Sequence, residues 1–77
     1  MLENISVIVP VYNEEKTLPE VLAEIYAVLK KDFENFEIII VDDHSFDNSL
    51  KLAVQFASGL DHKTRVIRLE KNYGSGY

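Results

Sequence analysis

Asp42 and Asp43 stand side by side, followed at once by His44 and Ser45, directly after residues 36–41, the strongest apolar run in the chain. Acids placed where a buried strand gives way to a loop accept hydrogen bonds from N–H and O–H donors. That suits the base or ribose edge of a nucleotide better than its phosphates. A second set, Pro10, Val11, Tyr12, Asn13 and Glu14, follows another apolar run and joins a carboxylate to a ring that can stack on a base. A third, Asn-Tyr-Gly-Ser-Gly at 72–76, carries glycines that let a backbone approach a ligand closely. Each set, taken alone, also fits a plainer role: a solvated capping turn, a packing aromatic beside a polar loop, or a frayed end. His44 reads as a surface residue, and His62 is not at metal-ligand spacing from it.

The elements that must hold these sets follow from periodicity. Residues 5–9, Ile-Ser-Val-Ile-Val, are rich in β-branched side chains and suit a strand covered on both faces, with Pro10 at its end. Thr17 and Glu20 have capping-box spacing and Pro19 lies in the first turn, so a helix is predicted to start there. Leu18, Val21, Leu22, Ile25, Tyr26 and Leu29 form its apolar stripe, and Asp32 to Asn35 make the loop. The second strand is 36–41. Ser45 or Asp47 caps a second helix with Leu50, Ala53, Val54 and Ala57 on one face, ended by Gly59 in a left-handed conformation. Residues 64–69 make a third strand, whose arginines at 65 and 68 suggest an edge or a wetted face.

The order β-α-β-α-β, with long helical crossovers of right-handed sense, predicts an α/β fold of three parallel strands in the order 3-2-1. Ligands of such sheets bind outside the carboxyl ends of the strands, where all three sets fall. A complete doubly wound sheet continues beyond strand 1. Residues 1–77 therefore read as a single truncated domain whose strand 1 edge is open and invites a homo-oligomer.

Composition removes several classes. The 77 residues contain no cysteine, which excludes disulfides, thiolate zinc and a cysteine nucleophile. A net charge of -5 without a basic stripe makes nucleic acid a poor partner. The first apolar run is too short for a leader or a span, and neither Gly-x-Gly-x-x-Gly nor a P-loop follows it.

Val-Ile-Val-Pro-Val-Tyr-Asn-Glu at 7–14, Ile-Ile-Val-Asp-Asp-His-Ser-Phe-Asp at 39–47 and Asn-Tyr-Gly-Ser-Gly at 72–76, in this order, resemble the amino-terminal half of a family 2 glycosyltransferase of GT-A fold. The nearest subgroup is dolichyl-phosphate mannose synthase-like. The resemblance implies the nucleotide-sugar-binding half of a Rossmann-like enzyme that transfers sugar from a UDP- or GDP-sugar to a polyprenyl phosphate or glycan. Carried over by position, Pro10, Tyr12 and Glu14 frame base and ribose, Val41 and Asp43 contact the base, and Asp42 buttresses the turn. Asp47 would cap the second helix. His44 stands where a glycine is common, which stiffens that loop.

The divalent metal (Mg or Mn) implied for the complete enzyme, its Asp-x-Asp ligands and the catalytic base have no counterpart in these residues, so the fragment alone is expected to be inactive. The implied setting is the cytoplasm or the cytoplasmic face of a membrane. A receiver-like signalling module shares the acidic pair but places it after the first strand. A non-catalytic piece that associates through strand 1 is the other alternative.

Overall fold

The computed structural model describes residues 2–59 and 63–70. Their order is β1 (Leu2–Val11), α1 (Leu18–Asp32), β2 (Phe33–Asp42), α2 (Ser49–Ser58) and β3 (Thr64–Arg68). The three strands form one parallel sheet in the order β1-β2-β3, which is the expected 3-2-1 arrangement of an α/β half-sheet. β2 is central and pairs Val7 with Ile38 on one side and Thr64 with Ile38 on the other.

Both helices pack on one face of the sheet. Leu18, Leu22 and Leu29 of α1, Ala53 of α2, and Val11, Phe36, Ile38 and Ile40 of the strands make the buried core. Tyr26 stands edge-on to Phe36 and Phe56, with centroids 5.6 and 6.4 Å apart, and closes the space between the helices. Successive crossovers of one hand move along the sheet in one direction, so both helices land on the same side.

Among the described residues the helices cover one face of β1, where coverage of both was expected. Burial alternates along β1, and Ile8, on the face without helices, is 64% exposed. On that face Ser6 donates to Glu37 at 3.0 Å and Glu37 pairs with Arg65 at 3.3 Å, a polar row at the amino end of the strands. Pro10 and Val41 are register partners on that face at the other end.

Four local expectations also change. β2 begins at Phe33, directly after α1, so 33–35 are strand and not loop. Thr17 is the N-cap of α1 without a side-chain cap bond, its φ and ψ of -111° and -17° being too near helical for the capping box. The inward face of α2 centres on Ser49, Leu52, Ala53 and Phe56, leaving Val54 49% exposed. Gly59 closes α2 at φ -92°, which is not left-handed, and its amide bonds to the Phe56 carbonyl.

As expected of an edge, β3 pairs only with β2 among the described residues, and the outer side of β1 has no partner among them.

Candidate functional site

The carboxyl ends of β1 and β2 are welded before the loops begin. Val11 is the register partner of Asp42, and the Asp43 amide donates to the Val11 carbonyl at 2.8 Å. This brings four of the six sequence-predicted residues together: Pro10, Tyr12, Glu14 and Asp43, with Val11, line one depression of about 280 Å³. Tyr12 is 41% exposed. Asp43 Oδ1 is covered by the protein and has no hydrogen-bond partner there.

The other two lie elsewhere. Val41 sits on the open face of β2 beside Pro10 and is not among the lining residues. Asp42 has no exposed surface and turns inward beneath the loop. Its Oδ2 accepts from the Ser45 amide at 3.0 Å and lies 3.6 Å from Arg68 Nε, so it supports the turn. Arg68 also donates to the Ser45 carbonyl at 3.3 Å. The glycine-rich stretch 72–76, and His62, fall outside the described residues.

Sequence reasoning missed how the two loops are joined. The Asn13 amide donates to Ser45 Oγ at 2.9 Å, the Glu14 amide to Ser49 Oγ at 2.7 Å, and the Glu15 amide to Asp47 Oδ2 at 3.2 Å. In return, the Phe46 amide donates to Asn13 Oδ1 at 2.7 Å and the Asn48 amide to Glu15 Oε1 at 2.9 Å. Asn13 and Glu15 thus satisfy, from the other loop, amides that lead into α2. Asn13 itself has φ 51°, in the left-handed region that asparagine tolerates.

His44 occupies the same region at φ 58°, in the position where a glycine was expected. Its Nδ1 is covered and without a partner. Asp47 accepts from the Ser49 amide at 2.9 Å, the helix-end role expected of it, though Asn48 is the N-cap. Partial burial alone would raise the Asp47 pKa. The hydroxyl and amide of Ser49, with the Glu15 amide, outweigh it and hold the carboxyl below its ordinary value.

Among the described residues no group of three or more His, Asp or Glu side chains could hold a metal ion, so the implied divalent cation has no ligand set here. A hollow of about 370 Å³ at the far end of the sheet, between residues 4–6 and 35–37, has one titratable group, Glu37, already paired with Arg65.

A half-sheet of parallel strands with an acidic, aromatic-walled depression at its carboxyl edge defines the class: an α/β protein of Rossmann-like type. Residues 6–77 match the family model "Glycosyl transferase family 2", and the chain belongs to that family. It is 40% identical over 73 residues to an undecaprenyl-phosphate 4-deoxy-4-formamido-L-arabinose transferase of Proteus mirabilis, covering 95% of this chain and 22% of the relative. A transferase of the same name from Pseudomonas fluorescens is 41% identical over 70 residues, covering 91% of this chain and 21% of the relative.

The structure of S. aureus TarS 1-349 superposes with a TM-score of 0.72 at 38% identity, over 92% of this chain and 20% of that one. The same protein in complex with UDP gives 0.69 at 32% identity, over 95% and 20%. The chain therefore spans about a fifth of the length of the relatives it matches.

Proposed function

We propose that this chain is the nucleotide-binding part of a glycosyltransferase that takes its sugar from a UDP-sugar and delivers it to a polyprenyl phosphate. The single observation that carries the reading is the pairing, in one depression, of the partly exposed Tyr12 with the Asp43 carboxylate. The ring offers a stacking face, and the carboxylate accepts from a base N–H or a ribose O–H. Glu14 adds a second acid, so the diphosphate is repelled from this end and the base and ribose are favoured in it.

The UDP complex of TarS supports uracil as the base, and the named relatives support the lipid phosphate acceptor. No helix among the described residues is long and apolar enough to cross a membrane. A metal ion in the complete enzyme would neutralise the diphosphate.

The test is an NMR titration of the isotopically labelled chain with UDP, GDP and ADP, after circular dichroism has verified folding. Shifts confined to Tyr12, Glu14, Asp43 and their neighbours, strongest with UDP, are expected. A folded sample that gives no shift, or shifts only at the far end of the sheet, would overturn the assignment.

A second reading rests on the outer side of β1, which has no strand partner among the described residues: two copies pair there into a continuous sheet. Sedimentation should then depend on concentration, and a monodisperse monomer from micromolar to millimolar would remove it.

A further inference from the structure

Phe46 is 76% exposed, a large apolar side chain that the core does not use. Its ring stands edge-on to Tyr12, with centroids 6.4 Å apart and planes at 74°. His44 meets the Phe46 ring in the same manner at 6.0 Å and 88°. The Phe46 backbone is anchored to the residue next to Tyr12, because its amide donates to Asn13 Oδ1 at 2.7 Å. Asn13 is itself held by the bond from its amide to Ser45 Oγ. The two rings are thus carried by loops tied together at the positions beside them. Phe46 does not line the depression that Tyr12 walls.

We propose that Phe46 is a positioning residue: its ring edge holds the Tyr12 ring in the orientation on which a nucleobase stacks. The inference rests on the reading of Tyr12, Glu14 and Asp43 as a nucleotide pocket. An exposed tyrosine free to change rotamer must be ordered when a base arrives, and that ordering opposes binding. A T-shaped neighbour removes part of the cost beforehand, by an amount that corresponds to roughly threefold to tenfold in affinity. The exposure of Phe46 means that its removal should leave the fold intact, so binding and stability separate cleanly.

The experiment compares wild type, Phe46→Leu and Phe46→Tyr, with carbon-labelled tyrosine rings, by UDP titration and thermal unfolding. Phe46→Leu should unfold at the wild-type temperature, bind UDP about threefold to tenfold more weakly, and show Tyr12 ring signals shifted toward rotamer-averaged values before any ligand is added. Phe46→Tyr, which keeps the ring, should restore both. Unchanged affinity in Phe46→Leu while wild type binds UDP overturns the positioning role and leaves the pocket standing. Unmoved Tyr12 signals in the free variant overturn it whatever UDP does. Wild type that fails to bind UDP overturns the pocket, and this inference with it.

Discussion

Arg68 and Asp42 face each other across neighbouring strands as register partners, the guanidinium Nε 3.6 Å from a carboxylate that has no exposed surface. The other arginine of β3, Arg65, holds Glu37 more closely, at 3.3 Å, but its side chain is 63% exposed and that of Glu37 39%. Burial, not distance, decides which pair matters. An exposed pair contributes little, whereas removing the partner of a buried acid leaves an uncompensated charge. Arg68→Ala should cost about 1–2 kcal/mol, with the usual buried-pair figure reduced because Arg68 is itself partly exposed, and Arg65→Ala less than about 0.5 kcal/mol. Chemical denaturation of both variants decides it, and equal losses would contradict the assignment of Asp42 as the support of the turn.

The two acids that follow Asp42 in the motif divide their work. Asp43 lines the depression, while Asp47 spends both oxygens on backbone amides, at 2.9 and 3.2 Å. Asp43→Ala should therefore weaken UDP binding with little change in unfolding temperature. Asp47→Ala should lower stability, as for a lost cap, and alter binding only through the loops it joins. Equal loss of UDP affinity in both, with unchanged folding, would erase the distinction.

Acid should act on the same residue. The Asp47 carboxyl is held below its ordinary value of 3.8 in the folded chain. A group whose folded pKa is depressed stabilises above the unfolded pKa, and the stabilisation disappears as pH falls through the folded one. The contribution of Asp47 is then whole at neutral pH and lost below 3.8. Asp47→Asn should show a shallower loss of stability in that range than wild type. Parallel acid curves for the two proteins would assign the loss to other carboxyls.

His44 stands in the left-handed region at φ 58°, where a Cβ is strained. His44→Gly removes that strain but gives the unfolded chain more freedom, and the difference favours the variant by about 0.5 kcal/mol. A rise of about 2–4 °C in unfolding temperature is the expected reading. A fall would mean that the contact of the His44 ring with Phe46 is worth more than the strain.

The β-α-β-α-β order and the strand order were legible because β-branched runs and one helical stripe each have a single consistent reading. So was the gathering of Pro10, Tyr12, Glu14 and Asp43, since strand ends in a parallel sheet converge on one edge. The exposed Ile8 was not legible, because a continuous apolar run reads alike whether one face or both are covered. Nor was the turn of α2, where Leu52 and Phe56 face inward in place of Val54: several apolar side chains on a short helix allow more than one stripe. The bonds between Asn13, Glu15, Ser45, Asp47 and Ser49 join residues more than thirty positions apart, and local pattern carries no information at that range.

Those crossed bonds have a consequence for how the edge of the sheet opens. Neither loop can peel away alone, because each donates amides to the other's side chains and accepts amides in return. In hydrogen exchange the amides of Glu14, Phe46 and Asn48 should leave their protected state together, as one cooperative unit with one opening free energy. Tyr12 and Asp43, carried on opposite sides of that unit, then ride on a single hinge-free block, and the depression between them exists only while the whole block is closed.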